Sequence, residues 1–144
     1  MIQKTTFDLQ NFLPYLLSQA ADASSCGFRR YYKDNYGMLR TEWRVVFHLG
    51  CYGKMTAKEI CDRGGIHKTK VSRAVAALGK KRFLTSAELP NDRRHEELTL
   101  TRAGLAAYSD LSREAAQFDF QLVNKISDAD QQVLRRCLRQ IARL

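Results

Sequence analysis

Residues 56–78 read TAKEICDRGGIHKTKVSRAVAAL and hold two helix signals separated by a glycine pair. Thr56 and Glu59 stand three residues apart, as a capping box requires. The hydroxyl accepts from one exposed N–H at a helix start and the carboxylate accepts from another. A short helix over residues 57–63 follows, and Gly64-Gly65 breaks it. A second helix runs from His67 to Lys81. Val71, Ala74, Val75 and Leu78 recur there at three- and four-residue steps as its inward face. Two short helices across a glycine turn make a helix-turn-helix.

Working outward, a first strand spans residues 83–88 and a second residues 97–100, where Leu98 and Leu100 alternate with Glu97 and Thr99. The turn-rich Pro90-Asn91-Asp92 lies between them. A hairpin directly after a helix-turn-helix is a wing. Upstream, Trp43, Val45, Val46, Phe47 and Leu49 mark a helix over residues 41–51. Leu13, Leu16, Leu17, Ala20, Phe28 and Tyr31 mark a longer one over residues 12–34. Downstream, Thr101 starts a long helix reaching Lys125, and Ser127 with Asp130 starts a last one. There Leu134, Cys137, Leu138, Ile141 and Leu144 form an apolar stripe. The expected fold is therefore mainly α with a small β wing. A winged helix-turn-helix over residues 41–102 is flanked by helical regions over 1–40 and 103–144.

The chain carries a net charge of +9. Residues 63–102 hold ten Lys and Arg against four Asp and Glu, so most of the excess coincides with the helix-turn-helix and wing. That placement fits a polyanionic partner. His67, Lys68, Thr69, Lys70, Ser72 and Arg73 supply the recognition helix with cations and short hydroxyls suited to a major groove. Asp92, Arg93 and Arg94 occupy the wing, where arginine suits a narrow minor groove. Asp92 would repel phosphate there unless it orients an arginine, and Arg94 is the expected partner.

Five segments together carry a family resemblance. They are Trp43-Arg44-Val45, Thr56 to Ile60, Lys68 to Leu78, Pro90-Asn91-Asp92-Arg93-Arg94, and Leu98-Thr99-Leu100-Thr101-Arg102-Ala103-Gly104. In order and spacing they resemble the motifs of the MarR (multiple-antibiotic-resistance regulator) family. The resemblance implies an obligate homodimer on a palindromic operator in double-stranded DNA, commonly a repressor released by a small effector. Three positions depart from that pattern. His67 stands where Asp or Ser commonly caps the recognition helix. Arg82 stands where Gly usually supplies a left-handed cap, which puts that cap in doubt. Ser86 replaces a frequent arginine of the first wing strand.

The two terminal stripes, Leu13, Leu16 and Leu17 at one end and Leu134, Leu138 and Ile141 at the other, exceed what the winged helix can cover. A two-fold dimer covers both; the rival is an intrachain hairpin in a monomer. The resemblance also implies an effector crevice between the dimer helices and the winged helix. Tyr31, Arg40, Trp43, Arg44, Phe47 and His48 would line it and suit a small aromatic or phenolic acid. The plainer reading, with Trp43 and Phe47 as core, carries more weight. Four cysteines at unpatterned spacings read as reduced, mostly buried thiols, with Cys61 and Cys137 in the core and Cys26 the candidate for redox sensing. The sequence lacks the motifs of a phosphate loop, a nucleophile elbow or a metal site, so neither enzyme, cofactor nor metal is expected. A winged helix used only for protein–protein contact would be poor in Lys and Arg on this face. With its apolar runs short of a membrane span, the chain is expected in the cytoplasm, away from membranes.

Overall fold

The computed structural model describes residues 6–144. After a short 3-10 turn at Leu9–Asn11 come α1 (Leu13–Tyr36), α2 (Arg40–Tyr52), β1 (Met55–Thr56), α3 (Ala57–Gly64) and α4 (Lys68–Lys80). They are followed by β2 (Leu84–Leu89), β3 (Asp92–Leu100), α5 (Arg102–Val123) and α6 (Asp128–Ala142). The expected helices are all present, with ends within about two residues. Strand β3 begins five residues earlier than the sequence pattern placed it. The two-residue strand β1 was unforeseen; it pairs Met55 with Leu98 and Thr56 with Glu97, giving the antiparallel order β1-β3-β2. Two residues are too few for alternation to register.

The caps explain the boundaries. Thr56 accepts from Glu59 N–H, and Glu59 accepts from Thr56 N–H, closing the expected box. Thr101 and Ser127 cap α5 and α6 by accepting Gly104 N–H and Asp130 N–H, without a reciprocal bond. Val45, Val46, Ile60, Val71, Leu78, Leu98 and Leu111 are almost fully buried, so one core joins α2, α3, α4, the sheet and α5. Ring packing of Phe28, Trp43, Phe47 and Phe118 extends it between α1, α2 and α5. Gly27 permits this approach, since a Cβ there would stand 2.5 Å from the Phe118 ring.

The exit of α4 is held from three directions. Lys81 Nζ donates to Gly37 O at 2.6 Å and to Glu42 Oε1 at 2.5 Å. Thr101 Oγ1 donates to Arg82 O at 2.7 Å. Phe83 O accepts from Thr101 N–H. A Cβ on Gly104 would stand 2.0 Å from Phe83 O, so only glycine lets α5 start this close. Arg82 itself has φ of +62°, so the left-handed turn survives without glycine. A side chain in that region costs about 1–2 kcal/mol, whereas glycine loses about 0.5–1 kcal/mol more to unfolded-chain entropy. Arg82→Gly should therefore stabilise the fold by about 0.5–1 kcal/mol. A thermal midpoint equal to or below the parent's would contradict that balance.

One expectation needs correction. The thiols are not mostly buried: Cys26, Cys51 and Cys137 are exposed and Cys61 is half-buried. Cys137 is exposed because α6 lies away from the core. Its polar ties to its own chain are Gln131 Nε2 donating to Val123 O and Ile126 O, and Arg135 pairing with Asp119. The rival intrachain hairpin is not formed: Leu13, Leu16, Leu134, Leu138 and Ile141 all remain exposed in the single chain. No helix among the described residues is long and apolar enough to cross a membrane.

Candidate nucleic-acid interface

Helix α4 presents its N-terminal turns outward. Lys68, Thr69, Lys70, Ser72 and Arg73 are exposed, while Val71, Ala74 and Leu78 face the core. His67 caps the helix with its imidazole: Nδ1 accepts Thr69 N–H at 3.2 Å. That bond requires a bare Nδ1, hence a ring whose proton sits on Nε2. A serine or aspartate oxygen would make the same bond without this restriction.

The wing closes on a two-residue turn, with Leu89 paired to Asp92. Pairing resumes only at Glu88 and Glu96, so Arg93, Arg94 and His95 form a bulge. Asp92 organises it. Its Oδ1 accepts Arg94 N–H at 3.0 Å and lies 3.5 Å from Arg94 Nε. Its Oδ2 lies 2.8 Å from His95 Nδ1. The His95 bond first, and the Arg94 N–H next, hold the Asp92 carboxyl below the usual carboxylate range. Arg94's side chain pairs with Asp92 as expected, but at long range and almost wholly in solvent. The backbone bond and His95 hold the carboxylate more closely.

An open cleft of about 710 Å³ separates α4 from the wing. Lys68 and Ser72 line one side, Arg93, Arg94 and His95 the other, and Cys61, Val75 and Leu98 lie among its lining residues. The predicted recognition helix and wing are thus brought to one surface. Thr69, Lys70 and Arg73 lie outside the cleft, on the exposed surface of α4. Sequence reasoning missed Lys58 and His95, which also line the cleft. The three-residue step from Asp92 to His95 was the available signal for the latter.

Of the six residues proposed for an effector crevice, Arg40, Trp43, Arg44, Phe47 and His48 lie on α2 and Tyr31 on α1. Trp43 and Phe47 pack within the aromatic core extension. Arg44 Nη2 donates to Gly64 O at 2.7 Å, satisfying the end of α3. Burial first, then neighbouring Arg40, lowers the Arg44 pKa. His48 Nδ1 donates to Arg44 O, and Arg40 is exposed. Tyr31 instead turns to α5, where its hydroxyl and that of Tyr36 both donate to Asp110 Oδ2, at 2.7 and 2.6 Å. Those two bonds, Tyr36's first, hold Asp110 below its usual range. No sequence spacing signals a tie across more than seventy residues.

Comparison with known proteins agrees with this geometry. A MarR family model matches residues 36–95. YwaE of Bacillus subtilis (strain 168), an uncharacterized HTH-type transcriptional regulator, is 24% identical over 107 residues, which are 74% of this chain and 63% of YwaE. The chain thus spans less than two thirds of that relative. The structure of Bordetella bronchiseptica BpsR, whose DNA binding is regulated by 6-hydroxynicotinic acid, superposes with a TM-score of 0.86 at 19% identity, covering 94% of this chain and 96% of that one. A mutant MarR from E. coli complexed with operator DNA superposes with a TM-score of 0.81 at 17% identity, covering 90% and 92%. At such identities the likeness establishes the fold. The matched family model and the superposed structures come from transcriptional regulators.

Proposed function

We propose that this chain, which a MarR family model matches over residues 36–95, is a homodimeric repressor of transcription that binds a palindromic operator. The observation that carries this reading is the cleft shared by α4 and the wing, which Lys58, Lys68, Arg93 and Arg94 line together with Asp62 and Glu96. Helix α4 enters the major groove, with Arg73 on a base edge and Lys68 on phosphate. Arg94 reaches the neighbouring minor groove. Two copies set their recognition helices about 34 Å apart, one DNA turn. Release by a small aromatic or phenolic acid is the signal we favour, since BpsR responds to such a molecule.

Operator selection from genomic fragments with the purified protein tests the reading, repeated with aromatic acids and with peroxide. Failure to enrich any sequence at moderate salt would overturn it. On an enriched operator, Arg73→Ala should lose about 1–3 kcal/mol and relax preference at one position per half-site. Lys68→Ala should weaken all sequences alike and make the salt dependence shallower. If Arg73→Ala ranks operator variants as the parent does, Arg73 does not read a base.

A further inference from the structure

We propose that His95 is a positioning residue of the wing, and that its protonation links operator binding to proton uptake; the proposal rests on the DNA-binding reading above. A carboxylate only accepts hydrogen bonds, so the 2.8 Å contact makes His95 Nδ1 the donor to Asp92. Arg93, Arg94 and His95 sit in the bulge, where the strand ladder does not fix their aim. Asp92 does so, and His95 holds Asp92 by the oxygen that Arg94 does not use. Removing the ring frees the carboxylate to turn, and the arginine turns with it.

With Nδ1 occupied, the neutral ring offers a bare Nε2. Protonation converts that nitrogen to a donor and adds a charge to the cleft that Lys58 and Asp62 of α3, Lys68 of α4, and Arg93, Arg94 and Glu96 of its own strand also line, with Asp92 held on Nδ1. Among these side-chain types only imidazole ordinarily titrates near neutrality. Phosphate entering this cleft favours the charged ring, so binding takes up a proton and must tighten as pH falls. Protonating His67 Nδ1 removes the cap of α4, which gives pH a second route to the recognition helix. His67→Asn keeps a capping oxygen and eliminates that titration.

The experiment measures operator affinity of the dimer at about pH 6 and about pH 8, at constant ionic strength and in the His67→Asn background. Affinity should be about three- to tenfold tighter at the lower pH. His95→Asn, whose amide can donate from nearly the Nδ1 position, should keep the affinity at the higher pH and lose the slope. His95→Ala should bind more weakly at both. An unchanged slope in His95→Asn overturns the proton linkage. Parent-like affinity of His95→Ala at the higher pH overturns the positioning role. Nitrogen-15 NMR of the free protein needs no DNA: neutral His95 should carry its proton on Nδ1, and an Nε2–H ring overturns the proposal. If the parent itself binds no operator, the regulator reading falls, while the tautomer still decides whether His95 holds Asp92.

Discussion

Lys81→Met should cost about 3 kcal/mol of stability, and Glu42→Gln only about 1 kcal/mol. Glu42 is 3% exposed, and its carboxylate has two partners, Lys81 Nζ on Oε1 and Leu39 N–H on Oε2. Methionine preserves the length of Lys81 but leaves a buried anion without its cation. That is the expensive way to break a buried pair. Glutamine at position 42 keeps the bond to Leu39 N–H. Lys81 is one-third exposed and still donates to Gly37 O, so it tolerates the loss. The double variant should therefore be more stable than Lys81→Met alone, a sign that additivity forbids. Chemical denaturation of all three variants at one protein concentration measures it. A double variant less stable than Lys81→Met would show that the pair's charges are not what matters. The pair joins the last turn of the recognition helix to the corner between α1 and α2. Its loss should therefore also loosen α4 against α1 and α2.

The legible parts of this protein were those whose physics is local. Capping at Thr56, Thr101 and Ser127 depends on residues three apart, and the structure closes those caps. The inward face of α4 follows from helical periodicity, which buries Val71, Ala74 and Leu78. The surface shared by α4 and the wing was legible because its residues lie within two short runs. What escaped were contacts that the fold makes between distant segments. Strand β1 exists because β3 offers Met55 an edge, and Arg44 is spent on the carbonyl of Gly64. Tyr31 is likewise drawn to Asp110. These side chains look like ligand-binding groups in sequence and serve as ties between helices in the fold. Arg82 shows the converse: the left-handed turn at the helix–wing junction is set by tertiary bonds from Thr101 and Lys81, and an unfavourable residue is carried through it.

The second large effect concerns the terminal helices. Leu138→Asp combined with Ile141→Asp should abolish the proposed dimer and lower operator affinity about 10²- to 10⁴-fold, the gain that linking two binding modules supplies. The stripe on α6 is exposed within the protomer at Val133, Leu134, Leu138 and Ile141, and Phe120 and Leu122 of α5 are exposed as well. Phe7, Leu9, Phe12, Leu13 and Leu16 leave a second apolar set uncovered at the other end. Each such side chain gains about 1.5–3 kcal/mol on full burial, and a two-fold axis lets both sets be covered at once. Aspartate on this stripe would place charges in a desolvated seam, which dimerisation cannot compensate. The winged-helix core does not draw on α6, so it should still fold in the variant and bind a single half-site like the parent's. Sedimentation at micromolar protein gives the oligomeric state. Alkylation mapped by mass spectrometry gives a check independent of solubility. Cys137, exposed on the lone protomer, should be protected in the parent and labelled in the variant. A folded parent that sediments as a monomer, with Cys137 freely alkylated, would rule out the terminal helices as the dimer seam.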